Sequence, residues 1–222
     1  MPDGYTGRVS PGGPSAVREL DRLAIRKASV SAMDNNVYLL TCRASGAQLL
    51  IDAADDPVRC LELVAEGTGR LDVVVTTHQH WDHVRALAAV VAATGARTAA
   101  GEEDADALPV PVDTRLQHAD LLTFGEITLG VIGLRGHTPG SVALAYADPT
   151  GPTHLFTGDS LFPGGVGGTA RPEQSFEQLI EDVTTRVFDV FDDATWFYPG
   201  HGADSTLAVE RPHLPEWRER GW

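Results

Sequence analysis

Residues 76–83, TTHQHWDH, place three histidines and one aspartate within eight positions. They come at the end of the apolar segment LDVVVTT (71–77), whose composition is typical of a buried β-strand. Imidazole and carboxylate groups are common metal ligands, but a single strand end cannot surround metal ions by itself. If residues 76–83 bind metal, the fold must bring further ligands to the same edge of the sheet.

Ligand-type side chains recur in three further motifs: GHTPGS (136–141), TGDSLF (157–162) and PGHG (199–202). Each motif comes directly after a segment predicted to be a strand. Strand ends at one sheet edge bring distant residues together on loops held by a rigid scaffold. The number of candidates exceeds what a single zinc ion binds, and a carboxylate can bridge two ions, so the pattern predicts a binuclear centre. The candidate ligands are His78, His80, Asp82, His83, His137, Asp159 and His201.

This mixture of nitrogen and oxygen ligands suits Zn²⁺, Fe²⁺ or Mn²⁺. We therefore expect two divalent metal ions as cofactors, with zinc as the first choice. The remaining isolated histidines are expected to be surface or hydrogen-bonded residues, and the serines beside the motifs are expected to be structural. These residues are His118, His154, His213, Ser141 and Ser160.

The order of the apolar segments predicts a layered α/β sandwich, with sheets packed on each other and helices outside. Both halves contain runs of short strands and then a helix, without strict alternation. Strands are expected at 23–30, 36–42, 48–52, 71–77, 126–134, 141–147, 153–158 and 195–200, and helices at 55–67, 84–95 and 175–191.

Residues 1–18, rich in glycine and proline, are expected to form a flexible N-terminal arm, and residues 19–222 a single domain that ends in a polar tail, RPHLPEWRERGW. The first twenty residues have no apolar run typical of a secretory signal, and no apolar stretch is long enough to span a bilayer. Cys42 and Cys60 form no CxxC pair and are expected to be reduced. These features predict a cytoplasmic protein.

The chain carries 31 acidic and 17 basic residues, a formal net charge of −14. Such a field repels phosphate backbones and anionic membranes. We therefore expect a small-molecule substrate, and neither a nucleic acid nor a membrane as a partner.

The series HxHxDH, GHTPGS, GD and PGHG resembles the motifs of the metallo-β-lactamase superfamily, and in particular its glyoxalase II branch of hydroxyacyl-thiol hydrolases. The resemblance covers residues 23–202 and implies an αββα sandwich of two mixed sheets with helices on the outer faces. It also implies a division of the ligands, with Asp159 bridging the two ions. One ion would be held by His78, His80 and His137, and the other by Asp82, His83 and His201.

The chemistry implied by the resemblance is hydrolysis of a small thioester or ester by a metal-bridging hydroxide. Asp82 and Asp159 are then the candidate catalytic residues. Asp52, at the end of an early strand, matches the family's acidic residue that fixes a ligand imidazole.

Two departures concern the substrate. Glyoxalase II enzymes specific for glutathione resemble GDxLFxxGCGKFYEG, whereas this chain has GDSLFPGGVGGTARP, with Val166 and Gly168 in place of the cysteine and lysine. The family's C-terminal glutathione-binding domain is also expected to be lacking, which leaves the thiol open. The candidate substrate-binding residues are Phe162 and Arg171, and the tail arginines that could assist are Arg211, Arg218 and Arg220.

Four alternatives remain at this point. A lactonase or another ester hydrolase would use the same centre, and a persulfide dioxygenase of the same fold would use a single iron. A phosphodiesterase or nuclease is disfavoured by the acidic charge, and a metal-binding scaffold without activity is disfavoured by the complete ligand set.

Overall fold

The computed structural model describes residues 4–221, and the strands of the first half of the chain form a seven-stranded sheet. The strands stand in chain order, antiparallel from the first to the fourth and parallel from the fourth to the seventh. They are β1 (Ala16–Glu19), β2 (Leu23–Val30), β3 (Asn35–Cys42), β4 (Gln48–Ile51), β5 (Val73–Thr76), β6 (Arg97–Gly101) and β7 (Thr114–Leu116).

The second half forms a six-stranded sheet in which one pair, β11 and β14, is parallel and the other pairs are antiparallel. Its order is β15-β14-β11-β10-β9-β8, and β12 with β13 forms a separate hairpin. The strands are β8 (Leu121–Phe124), β9 (Ile127–Gly133), β10 (Val142–Ala147), β11 (Thr153–Gly158), β12 (Leu161–Phe162), β13 (Gly165–Val166), β14 (Trp196–Pro199) and β15 (Ser205–Thr206).

The helices are short and lie on the outer faces of the sheets. They are α1 (Pro57–Glu66), α2 (Leu87–Thr94), α3 (Phe176–Val183), α4 (Leu207–Glu210) and α5 (Leu214–Arg220). A π-helical turn, Thr184–Phe188, extends α3, and 3₁₀ turns occur at Trp81–His83, Ala105–Ala107 and Arg211–His213. Within residues 4–221, no helix has the length and apolar character needed to cross a membrane.

Alternation along the strands explains why the sheets are covered on both faces. In β3, Tyr38 and Leu40 enter the apolar cluster between the two sheets, whereas Val37 and Leu39 enter the cluster beneath α1 and α2. A third cluster lies between the second sheet and the helices α3 and α5. These three cores separate four layers, which confirms the αββα sandwich of two mixed sheets.

Local signals also account for the ends of α1. The Asp56 side chain accepts a hydrogen bond from the Arg59 N–H at 3.1 Å, and Pro57 occupies the first turn, where its missing N–H costs nothing. Gly67 follows the last helical residue. The helix predicted at 55–67 therefore lies where these signals place it.

The arm expected over residues 1–18 contacts the rest of the chain at both of its described ends. Tyr5 is buried in the core between the sheets, and its hydroxyl donates to Asp204 at 2.9 Å. Residues 16–19 form β1, which pairs with β2. Residues 8–15 between these contacts are exposed or half-buried. Residues 1–3 of the expected arm and Trp222 of the expected domain lie outside the described residues.

The prediction of a polar tail needs correction. Its residues form α5, and Trp217 is only 1% exposed, with its ring centroid 6.1 Å from that of Phe188. One large aromatic side chain anchors a helix whose other residues are mostly polar, so the average composition of the segment hides its buried face.

Candidate metal centre

The predicted ligand motifs follow four strands that end at one edge of the sandwich. His78 comes after β5 in the first sheet, whereas His137, Asp159 and His201 come after β9, β11 and β14 in the second sheet. The centre therefore lies where the ends of the two sheets meet, as the strand predictions require.

The structure brings the predicted ligands together in two trios that share Asp159. In each trio the candidate ligand atoms all lie within 4.8 Å of one another. The Asp159 carboxylate lies between the trios: Oδ2 is 3.6 Å from His137 Nε2, and Oδ1 is 3.3 Å from His83 Nε2. The first trio is His78, His80 and His137, and the second is Asp82, His83 and His201.

The spacing in the second trio suits one small cation. His83 Nε2 lies 3.1 Å from His201 Nε2, and Asp82 Oδ2 lies 3.4 Å from His201 Nε2 and 3.6 Å from His83 Nε2. Tetrahedral bonds of about 2.0–2.1 Å would put ligand atoms about 3.3–3.4 Å apart. The side chains thus surround a space of the size that zinc or a similar ion occupies.

In one ring of each trio, a hydrogen bond at Nδ1 directs the Nε2 lone pair towards the other ligands of that trio. His137 Nδ1 lies 2.8 Å from the Gly168 carbonyl, and His201 Nδ1 lies 2.9 Å from the Met33 carbonyl. A carbonyl oxygen only accepts, so both Nδ1 atoms carry the proton and, in the neutral ring, Nε2 carries the lone pair. This is the tautomer that a metal ligand requires.

Asp52 fixes two more of the five histidine rings, His83 and His78. Its carboxylate accepts from the Thr77 N–H at 2.7 Å, from Thr77 Oγ1 at 2.8 Å and from His83 Nδ1 at 2.9 Å. Because Thr77 Oγ1 has given its proton to Asp52, it accepts from His78 Nδ1 at 3.0 Å. One buried carboxylate therefore orients His83 directly and His78 through Thr77, which is the place predicted for Asp52.

Three buried atoms at the centre have no hydrogen-bond partner among the residues that the structure describes: His78 Nε2, His137 Nε2 and Asp159 Oδ1. A buried polar atom without a partner is costly. Divalent cations would satisfy all three atoms and neutralise the two carboxylates. The nitrogen and oxygen atoms of the two trios and Asp159 are therefore consistent with a site for two divalent metal ions.

The pKa values divide the rings into two classes. Burial lowers the pKa of His137, and burial with repulsion from His83 lowers the pKa of His78 well below its usual range. Burial also acts to lower the pKa of His201, but its contacts with Asp159 and Asp82 outweigh this effect and raise the pKa to about 10. A metal ion in the second trio therefore competes with a proton.

Asn35 is a site residue that the sequence did not reveal. It is fully buried, and its Nδ2 donates to Asp82 Oδ2 at 3.0 Å and to the Asp82 carbonyl at 3.2 Å. Ser31 Oγ in turn donates to Asn35 Oδ1 at 2.6 Å. The amide thus fixes the carboxylate of a ligand in the second trio. The signal available in the sequence is the polar run DNN (34–36) at the start of an apolar strand.

Gly200 is required by the close approach of two ligands. A Cβ at this position would clash with Asp159 Oδ1 and would lie 2.8 Å from His83 Cε1. Gly200 of PGHG is therefore required because a larger residue would not fit, and not because of an unusual backbone conformation.

The candidate substrate residues lie on the two open sides of the centre. His80 and His201 are half-buried, whereas the other histidines of the trios are buried. Phe162 lies near His201, with a ring-centroid separation of 6.3 Å. Arg171 is exposed, and its charge contributes, after burial and His137, to lowering the pKa of His80 to about 4.

The tail arginines contact other parts of the chain, and none of the contacts named here is to a residue of the two trios. Arg211 bonds to Asp193 and the Phe188 carbonyl, Arg218 to Glu181, and Arg220 to the Gly164 carbonyl. Of the histidines outside the trios, His154 is buried against Tyr198, with 2.9 Å between its Nδ1 and the hydroxyl.

The architecture and this ligand arrangement coincide with a known family. Residues 31–210 match the family model of the metallo-beta-lactamase superfamily. The chain belongs to this superfamily. Of the solved structures, ETHE1 from Myxococcus xanthus superposes with a TM-score of 0.78 at 28% identity, covering 88% of this chain and 84% of that one.

Two further relatives bear on the metal and the chemistry. The protein TTHA1623, solved in a di-iron-bound form, has a TM-score of 0.70 and 30% identity, covering 83% of this chain and 96% of that one. The hydroxyacylglutathione hydrolase of Fuscovulum blasticum is 39% identical over 134 residues, which is 60% of this chain and 51% of the relative. The chain thus spans about half the length of this curated relative.

Proposed function

We propose that the protein is a binuclear-metal hydrolase that cleaves small thioesters of the hydroxyacyl-thiol type. The observation that carries the proposal is the convergence of two ligand trios on the shared carboxylate of Asp159. The similarity to hydroxyacylglutathione hydrolases supports thioesters as the substrate class. Glutathione or another low-molecular-weight thiol would be the leaving group.

His78, His80 and His137 would hold one cation, Asp82, His83 and His201 the other, and Asp159 both. When bound, the two ions would polarise the substrate carbonyl and make hydroxide available at neutral pH by lowering the pKa of water. The protein would hold the histidine rings in the tautomers whose Nε2 lone pairs can bind the ions. The carboxylates of Asp82 and Asp159 would partly neutralise the charge of the ions.

No serine near the motifs is arranged as a nucleophile. Ser141 is 3% exposed and shares a hydrogen bond of 2.5 Å with Thr138, and Ser160 is 1% exposed. A thiolate leaves without a proton donor, because a thiol has a pKa of about 8.5. A thioester therefore needs less help from a general acid than an alkyl ester does, which favours thioesters as the substrate class.

Phe162 and Arg171 are our proposed substrate contacts. Phe162 offers an apolar wall on the His201 side of the opening. Arg171 has no carboxylate partner among the residues that the structure describes, and its main-chain N–H is held by Gln174. It would therefore be free to meet an anionic group of the substrate on the His80 side.

The test is a panel of S-lactoyl thioesters and γ- and δ-lactones, assayed with zinc-, iron- and manganese-loaded protein, and with Asp159→Ala as the control. We expect kcat/KM for the best thioester to exceed that for the best lactone by at least about tenfold. Faster turnover of lactones would replace the proposal by the lactonase alternative. A single iron per chain together with oxygen consumption on a persulfide would replace it by the dioxygenase alternative.

A further inference from the structure

Asp52 supports a histidine of each trio, but each trio is also held by a buried group of its own. In the first trio, His78 and His80 belong to the loop after β5, whereas His137 belongs to the loop after β9. In the second, Asp82 and His83 belong to the loop after β5, whereas His201 belongs to the turn after β14. Each trio therefore needs a device that fixes one loop against the other.

Asp104 joins the two loops of the first trio. It follows β6, is fully buried, and accepts from the Gln79 N–H at 2.8 Å, from Thr138 Oγ1 at 2.6 Å and from the Gly140 N–H at 2.7 Å. Gln79 stands between His78 and His80, and Thr138 follows His137. One carboxylate thus links both segments that carry the first trio.

The three donors are all neutral, so the Asp104 carboxylate brings a buried negative charge that hydrogen bonds alone satisfy. Burying a charge costs free energy, and the three hydrogen bonds offset part of that cost. A carboxylate can accept all three bonds at once, whereas the isosteric asparagine turns its NH₂ group towards at least one of these donors.

Lys27 has the corresponding role for the second trio. It lies in β2 of the first sheet and is fully buried, and its Nζ donates to the Gly202 carbonyl at 2.7 Å, to Asp204 at 2.6 Å and to the Gly7 carbonyl at 3.0 Å. Gly202 follows His201 directly. The ammonium therefore fixes, from the opposite sheet, the turn that carries His201.

The same turn is held at its other end by the first sheet. Tyr38 Oη donates to the Pro199 carbonyl at 2.6 Å, and Asn36 Nδ2 donates to the same carbonyl at 2.9 Å. The Asn36 N–H donates to the Gly200 carbonyl at 2.7 Å. The PGHG turn is thus built by the second sheet but positioned by residues of β2 and β3.

We infer that Asp104 and Lys27 are positioning residues that act on separate metal positions, Asp104 on the ion of the first trio and Lys27 on the ion of the second. Neither side chain bonds to a ligand side chain, and each acts on the main chain beside one. The two positions share Asp159 and the support of Asp52, whereas Asp104 and Lys27 each hold residues beside the ligands of one trio, so substitutions at these two residues should change the two affinities separately.

The two effects can be separated in variants that lack one ligand of one trio. His201→Ala leaves the first trio intact, and His137→Ala leaves the second. In each background, metal-free protein is titrated with Co²⁺ against a competing chelator, and binding is followed by the visible spectrum of the bound ion rather than by activity. We expect Asp104→Asn to weaken binding about 10–100-fold in the His201→Ala background and less than about threefold in the other.

The reverse is expected for Lys27→Met combined with Asp204→Asn, which removes both members of the buried ion pair together. This double variant should weaken Co²⁺ binding about 10–100-fold in the His137→Ala background alone. Tyr38→Phe removes one hydroxyl from the same turn without a change of charge, and should act in the same background by a smaller factor.

Circular dichroism and thermal unfolding of the metal-free variants check that each is folded, and Tyr38→Phe replaces the double variant if the latter is not. Equal losses in both backgrounds, or unchanged affinities in both, would overturn the inference. Because the readout is metal binding, the outcome is independent of whether thioesters are the substrate.

Discussion

Replacing Asp52 by asparagine should weaken one metal position strongly and the other less. The carboxylate accepts three hydrogen bonds, and the one from His83 Nδ1 at 2.9 Å decides which nitrogen of that ring faces the second trio. Asparagine keeps the shape, but its NH₂ group competes with these donors, so the bond to His83 or the bonds to Thr77 must break.

The expected size follows from the bond that is lost. A hydrogen bond to a charged group contributes about 1.5–3 kcal/mol, which corresponds to roughly 10–150-fold in affinity. Loss of a residue that orients a metal-binding histidine typically costs about 10–100-fold in metal affinity, so the two estimates agree. The first trio feels the change only through Thr77 and His78, and should lose less.

The assay is equilibrium dialysis of Asp52→Asn and wild-type protein against zinc buffered by a chelator, with the metal content measured by elemental analysis. We expect one of the two zinc ions to be lost from the variant at a free zinc concentration that saturates the wild type. Asp55→Asn is the matched control, because Asp55 pairs with Arg85 at 3.2 Å instead of with a ligand. Wild-type zinc content in Asp52→Asn across the whole range would refute the reasoning.

Three further predictions follow. Asp159→Ala removes the shared ligand, and should lower thioester hydrolysis by at least about 100-fold with a reduced metal content; near-normal rates would contradict the two-metal mechanism. Trp217→Ala should cost about 3–5 kcal/mol of unfolding free energy in urea, whereas Trp81→Ala, at a position 54% exposed, should cost about 1 kcal/mol or less; equal costs would contradict the packed C-terminal helix. Burial and the nearby Asp56 raise the pKa of the Cys60 thiol to about 12, so thiol reagents should label Cys60 in urea but not in the native protein; rapid native labelling would exclude this burial.

Much of the sandwich follows from local patterns. Residues 23–30 form a strand with the same bounds as predicted, because its apolar side chains alternate between two buried faces. The ligand motifs could also be predicted, since they combine metal-binding side chains, in three of four cases with neighbouring glycines, at a strand end. Their grouping into two trios required the resemblance, and the ligand atoms of each trio lie within 4.8 Å of one another in the structure.

The site residues that could not be predicted are those whose contacts join segments far apart in the sequence. Asn35 and Asp104 are ordinary polar residues in the sequence, and Asp104 stands in an acidic run that is typical of a solvated surface. Their contacts with Asp82, Gln79 and Thr138 exist only after separate strands have paired. The strands β6, β7 and β8 are short and mixed in composition. They are therefore strands because they pair with neighbouring strands, and not because their residues have a high β-propensity.

The central claim is that seven side chains of this chain form one two-ion centre. The most direct test is a titration of metal-free protein with zinc, with the number of bound ions per chain and the rate of thioester hydrolysis measured on the same samples. We predict saturation at two ions per chain, and full activity only when both trios are loaded. Saturation at one ion, or a rate that does not change with zinc, would contradict the claim.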